Sequence, residues 1–233
     1  MTKKPPSKPT RPSRLQKKVR LKTRDQRTVS SARWLHRQLN DPYVAEARAR
    51  GYHSRAAFKI IQMNEELHFF KPGQRIIDLG AAPGGWTQVA CEIIQPAKTG
   101  GKVVAIDYLE LKPVAESIFL QMDFMDEEAP AKLIEAIGGT ADGIISDMAP
   151  PTMGHKQTDH IRIMVLVEAA YDFACEVLNP GGFFLSKVFQ GGTEKALLDR
   201  MKKDFTKVKH IKPNASRKDS AEMYVVAMGF RGG

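Results

Sequence analysis

The sequence predicts an α/β protein on a Rossmann-like, mostly parallel seven-stranded sheet with helices on both faces, and three observations carry that expectation. From about residue 38 onward, apolar strand-like runs alternate with helical stretches, the pattern of a parallel sheet wound with crossover helices. At 76–89, "IIDLGAAPGGWTQV" takes an apolar run through a glycine-rich turn into a helix start, which lets backbone approach a ligand closely. Only a loop separates the last two strand-like runs, which predicts an antiparallel hairpin at the sheet edge.

The elements follow in order. "SRAAFKIIQMNEELHF" (54–69) places Ala57, Ile60, Ile61, Met63 and Leu67 at helical spacing after a Ser54 cap, and Pro72-Gly73 ends it. Strands are expected at 75–79, 102–107, 117–122, 142–147 and 183–188, with helices near 86–95, 128–137, 158–178 and 193–204. The closing hairpin would pair 206–212 with 222–228.

A chain of 233 residues can bury one substantial core, and one domain, 38–233, is expected. Cys91 and Cys175 match no zinc or redox spacing, which points to a reducing, cytoplasmic setting. No apolar stretch approaches the ~18 residues of a membrane span, so no membrane partner is expected. The net charge of +10 is an N-terminal property. Residues 1–37 hold 13 Lys and Arg against the single acid Asp25, whereas the remainder holds 23 basic against 25 acidic residues. With proline and serine among those charges, 1–37 reads as a disordered basic arm suited to nucleic acid; a solubilising tail or a transit peptide are the alternatives. A second basic run, nine Lys and Arg against two acids between 195 and 218, reads as a phosphate-tracking surface or simply as a solvated face.

The glycine loop is not a phosphate cradle of the usual kinds: G-x-G-x-x-G is absent, and no G-K-[ST] follows. What stands there, D-x-G-x-x-P-G-G-x-[TS], resembles motif I of S-adenosylmethionine-dependent methyltransferases. That resemblance puts Asp78 and Gly80 at a strand end, with Pro83, Gly84, Gly85 and Trp86 wrapping the cofactor. Asp107 ends "VVAID" 22 residues past Gly85, near the offset at which an acid reaches a ribose in nucleotide-binding α/β units. Asp123, after the third strand, would meet the adenine edge. Each acid alone could be a cap or turn residue; three at successive strand ends favour cofactor binding. Tyr52 and Trp86 would stack on bases or adenine, or be partly buried against the sheet.

In open α/β sheets, ligands collect beyond the carboxyl ends of the strands. Asp147 closes the fourth strand, Lys187 nears the close of the fifth, Glu222 opens the reversed last strand, and Lys59 lies early in the helix before the first, so all four converge on one rim. "SRAAFKI", "DLGAAPGGWTQ", "SDMAP", "LSKVFQG" and "SRKDSAEMYVVA", spread over 51–229, resemble the FtsJ/RrmJ (RlmE) family of ribosomal RNA ribose 2′-O-methyltransferases. The basic arm lies outside the family's shared core, and Pro151 stands where many members carry asparagine.

The resemblance implies a Lys-Asp-Lys-Glu tetrad of Lys59, Asp147, Lys187 and Glu222. It also implies a large-subunit ribosomal RNA substrate methylated on a uridine ribose, with S-adenosylmethionine as cofactor; since that cofactor supplies the leaving group itself, no metal is expected. Removing a 2′-hydroxyl proton calls for a base, and burial beside a second cation makes lysine a useful one. Lys187 is assigned that role and Asp147 its orientation near the sulfonium, with Lys59 and Glu222 positioning the ribose and balancing charge. His155 and His160 fit a metal spacing numerically but lack a second ligand pair. The expected protein is a cytoplasmic monomer. Alternatives are a base-directed RNA methyltransferase, against which "DMAPPT" lacks the aromatic that stacks on a flipped base, and a non-catalytic RNA-binding assembly factor.

Overall fold

The computed structural model describes residues 28–151, 153–189, 193–217 and 219–232. Their helices are α1 (Val29–Asn40), α2 (Pro42–Arg50), α3 (Ala57–Leu67), α4 (Gly85–Ile94), α5 (Pro96–Thr99), α6 (Ala129–Ile137), α7 (Lys156–Val177) and α8 (Lys195–Asp204). The strands are β1 (Arg75–Leu79), β2 (Lys102–Asp107), β3 (Ser117–Gln121), β4 (Ala141–Ser146), β5 (Leu178–Phe189), β6 (Phe205–Ile211) and β7 (Glu222–Phe230). They form one sheet in the order β3-β2-β1-β4-β5-β7-β6.

Strands β1 to β5 are parallel, and β7 runs antiparallel to both of its neighbours, β5 and β6. The expected hairpin forms, but its second strand inserts between β5 and its own partner. Burial explains this choice: Tyr224, Val225, Val226 and Ala227 are fully buried on both faces, while β6 exposes Lys207 and Lys209. A strand with apolar residues on both faces belongs inside a sheet, and lysines discourage further pairing at an edge.

The two-residue strand repeat divides the core. Ile77, Leu79, Val104, Ile106, Ile144, Phe184, Val188, Val225 and Ala227 face one cluster with residues of α6, α7 and α8. Ile76, Val103, Ile145, Phe183, Leu185, Tyr224 and Val226 face the other, with residues of α3 and α4. Because side chains alternate, Lys187, Glu222 and Asp147 share the parity of the second set, so the fold aims them at the α3 side.

The expected arm boundary is corrected. Among the described residues the first helix is Val29–Asn40, with Thr28 Oγ1 accepting the Ser31 N–H as an N-cap, so 29–37 belong to α1 and not to a disordered arm. Asp41 then caps α2 through the Tyr43 N–H, with Pro42 in its first turn. Helix α1 packs on α2, which meets α3 through Ala47 and Phe58. Residues 1–27 lie outside the described residues.

Candidate active site

The site grows from the start of α3. Trp86, in the first turn of α4, donates its indole N–H to the Ala56 carbonyl at 2.9 Å, and Ser54 Oγ accepts the Ala56 N–H. These contacts fix the turn that carries Lys59, a residue only 8% exposed. Its ammonium donates to Glu222 Oε2 at 2.8 Å and to the Tyr224 hydroxyl at 3.1 Å, and lies 3.9 Å from Asp147 Oδ2.

From β5, Lys187, also 8% exposed, reaches the other oxygen of the same carboxylate, Asp147 Oδ1, at 2.8 Å. It donates to the Asp147 backbone carbonyl at 2.6 Å as well. Asp147 follows β4 directly, its own N–H held by the Leu79 carbonyl. The structure thus brings Lys59, Asp147, Lys187 and Glu222 into one network of ion pairs at the carboxyl rim, drawn from α3, β4, β5 and β7. Burial alone would raise the Asp147 carboxyl. The Lys187 and Lys59 charges, with hydrogen bonds from Lys187 and Tyr224, outweigh it and hold the group below its ordinary value.

Sequence reasoning missed Tyr224. Fully buried, its hydroxyl donates to Asp147 Oδ1 at 2.8 Å while accepting from Lys59. Burial, then the Asp147 and Glu222 charges, push its phenol well above the ordinary tyrosine value, so it stays a donor. The available signal was parity: Tyr224 stands two residues after Glu222 and faces the same way.

Beside this network, acids stand at the same rim of β1, β2 and β3: Asp78 just before the end of the first, Asp107 at the end of the second and Asp123 just past the third. Asp78 is fully buried, with Oδ2 accepting the Thr87 hydroxyl at 2.7 Å and Oδ1 without a partner among the described residues. Asp107 is held by two backbone amides, Oδ2 by Ala82 at 2.9 Å and Oδ1 by Leu109 at 2.8 Å. Each of its oxygens keeps a second lone pair for a ligand hydroxyl. Asp123 is exposed, accepting the Met125 N–H, three strand spacings or roughly 14 Å from the β4 position.

The glycine loop spans this row. Gly80 (φ 73°) could bear no side chain, since a Cβ would lie 2.6 Å from Met148 Cγ, and Gly84 (φ 107°) begins α4 from the left-handed region. Pro83 is exposed, and its carbonyl faces His53 Nδ1 at 3.0 Å. The Trp86 ring is buried against Tyr224, with centroids 5.6 Å apart. Tyr52 is likewise half-buried, its hydroxyl on Glu92. His155 and His160 sit at the start of α7.

A row of carboxylates repels phosphate and accepts from hydroxyl, amino and cationic groups, and an acid network holding two lysines adjoins it at the carboxyl rim of a Rossmann-like sheet. The chain belongs to the FtsJ-like methyltransferase family, which matches residues 52–230. It is an enzyme that takes a methyl group from a donor. A "Ribosomal RNA large subunit methyltransferase E" of Paramagnetospirillum magneticum is 61% identical over 216 residues, covering 92% of this chain and 88% of the relative. The protein of the same name from Azorhizobium caulinodans is 57% identical over 226 residues, covering 97% and 94%. Among solved structures, a Plasmodium falciparum protein described as a ribosomal RNA methyltransferase superposes with a TM-score of 0.69 at 29% identity. That match covers 78% of this chain and all of the other.

Proposed function

We propose that this protein methylates the 2′-hydroxyl of a ribose, on a uridine, in large-subunit ribosomal RNA, using S-adenosylmethionine. The observation that carries the reading is the pair of lysines sharing one carboxylate, Lys187 and Lys59 on Asp147, next to the carboxylate row. The relatives named above support the substrate.

The residues present fit the cofactor. Asp107, preoriented by two amides, would accept from the ribose hydroxyls, and Asp123 would meet the adenine edge. The loop at Gly80, Pro83, Gly84 and Gly85, with the backbone of Trp86, would pass beneath the methionine portion, and Asp147 would lie by its cationic end. When bound, S-adenosylmethionine supplies an electrophilic methyl on a cationic sulfur that departs as a neutral thioether.

The protein's part is to hold the ribose in line and take one proton. Lys187 Nζ spends two of its three donor directions on Asp147, which leaves one position on the nitrogen for the substrate hydroxyl. In its neutral form it would take the 2′-hydroxyl proton as the C–O bond forms and the C–S bond breaks. Lys59 divides the Asp147 charge with Lys187, and Glu222 anchors Lys59 from the opposite side.

The 1–27 segment, with 11 Lys and Arg against one acid, would track RNA phosphates, as would the exposed lysines of α8 and β6. We place the enzyme in the cytoplasm as a monomer; no helix among the described residues is long and apolar enough to cross a membrane. The test is transfer of labelled methyl from S-adenosylmethionine to large subunits lacking the modification, followed by digestion to nucleosides. Label on a uridine 2′-oxygen is expected, and label on a base would replace this reading with base methylation.

A further inference from the structure

The loop between β6 and β7 is clasped to α3 at one residue. The Ala215 N–H donates to Gln62 Oε1 at 2.8 Å, and the Ala215 carbonyl accepts from the Arg55 guanidinium, which is ion-paired with Asp41 at 3.0 Å. Ala215 itself is fully buried, packed with Ala47 and Phe58. Next in the chain, Ser216 is 6% exposed and donates its hydroxyl to Glu222 Oε1 at 2.8 Å. Glu222 therefore has both oxygens committed, Oε1 to Ser216 and Oε2 to Lys59. Its backbone N–H is held as well, by Ser220 Oγ at 3.1 Å.

The terminal torsion of a glutamate is broad, so a single contact at Oε2 would leave the carboxylate plane free to rotate and loosen the shortest of the contacts that hold the Lys59 ammonium. A second donor on Oε1, anchored to the helix that carries Lys59, removes that freedom. We propose that Ser216 is a positioning residue for methyl transfer: its hydroxyl fixes the Glu222 carboxylate and, through it, the Lys59 ammonium. The inference rests on the reading of Lys59, Asp147, Lys187 and Glu222 as the catalytic centre. Ser216 acts on the reaction only through Glu222.

The experiment is a double-mutant cycle in the full chain, with Ser216→Ala, Glu222→Gln and the double variant, reading kcat and KM separately along with thermal melting. A hydrogen bond to a charged group predicts about a ten-fold fall in kcat for Ser216→Ala. KM for S-adenosylmethionine and for RNA should stay within about two-fold, since no binding group is removed. In the Glu222→Gln background, Ser216→Ala should change kcat by less than about two-fold. Ser216→Thr, which keeps the hydroxyl, should hold kcat within about three-fold of the parent and stands in should the alanine variant fail to fold.

Multiplicative losses in the double variant would overturn the inference. So would a fast Ser216→Ala beside a slow Glu222→Gln, or a folded Ser216→Thr as slow as Glu222→Gln. If Glu222→Gln and Lys59→Ala both run at parental speed, the catalytic reading of the tetrad itself fails, an outcome distinct from a failure of Ser216 alone.

Discussion

The Tyr224 hydroxyl donates to Asp147 Oδ1 at 2.8 Å and accepts from the Lys59 ammonium at 3.1 Å, so one buried oxygen ties the carboxylate of β4 to the cation of α3. Tyr224→Phe keeps the ring packed on Trp86 and removes only this link. A lost hydrogen bond to a charged partner costs about 1.5–3 kcal/mol, which predicts a kcat reduced roughly 10- to 100-fold. Cofactor affinity should be unchanged. Equal kcat for the two proteins would show that the hydroxyl is a packing feature.

Lys187 alone is asked to take a proton, and a positioned base is worth about 10²–10⁴-fold in rate. Lys187→Ala should lose that much activity while binding S-adenosylmethionine and RNA as before. Lys187→Arg keeps the charge beside Asp147 yet does not deprotonate at accessible pH, so it should be equally inactive. Single-turnover methyl transfer alongside separate titrations of each ligand makes the comparison, and an active arginine variant would remove the base assignment.

Asp107 is held by two backbone amides with an acceptor site left on each oxygen. Asp107→Ala should weaken S-adenosylmethionine binding by about 1–3 kcal/mol, read by calorimetry. Unchanged affinity would mean that the carboxylate serves only to shape the loop at 80–84.

Asp78 gives a pH signature. Full burial, against the Thr87 hydrogen bond and together with the Asp147 and Asp107 charges, raises its carboxyl from 3.8 to about 7. Between those values the folded state holds a proton that the unfolded chain has released, so this group's contribution to stability falls as pH rises. Asp78→Asn should therefore gain stability over the parent on going from about pH 5 to about pH 8, measured by urea unfolding. A stability difference that stays constant with pH would refute the raised value.

Deleting residues 1–27 removes 11 basic residues and one acid, and leaves α1 with its Thr28 cap intact. RNA affinity and its salt dependence should both drop while kcat at saturating RNA survives. The check is affinity measured across a salt series for the full and shortened chains; identical slopes would show that the segment does not touch phosphate.

Much of this was legible in the order of residues. Alternating apolar runs place β1 at 75–79 and β2 at 102–107, where the structure has them, because burial on both faces imposes continuous hydrophobic stretches bounded by turn residues. The glycine loop and the strand-end acids are likewise local signals, since backbone geometry at Gly80 and Gly84 admits little else. Helix α1 was misread because thirteen basic residues dominate the composition of 1–37, while the Thr28 cap acts through a single hydrogen bond.

Tertiary structure alone decided the rest. The run 222–230 is apolar enough for an interior strand, but its residues do not name β5 as the second neighbour. That placement follows from burying both of its faces, and it puts Tyr224 opposite Lys187 in register and Glu222 within 2.8 Å of Lys59. Which oxygen of Asp147 each lysine takes, and how Ser216 reaches Glu222 from a loop clasped to α3, are likewise properties of packed neighbours distant in the chain. Local sequence restricts each residue's own backbone, whereas contacts across 163 residues, the separation of Lys59 and Glu222, exist only once the sheet and its helices have closed around them.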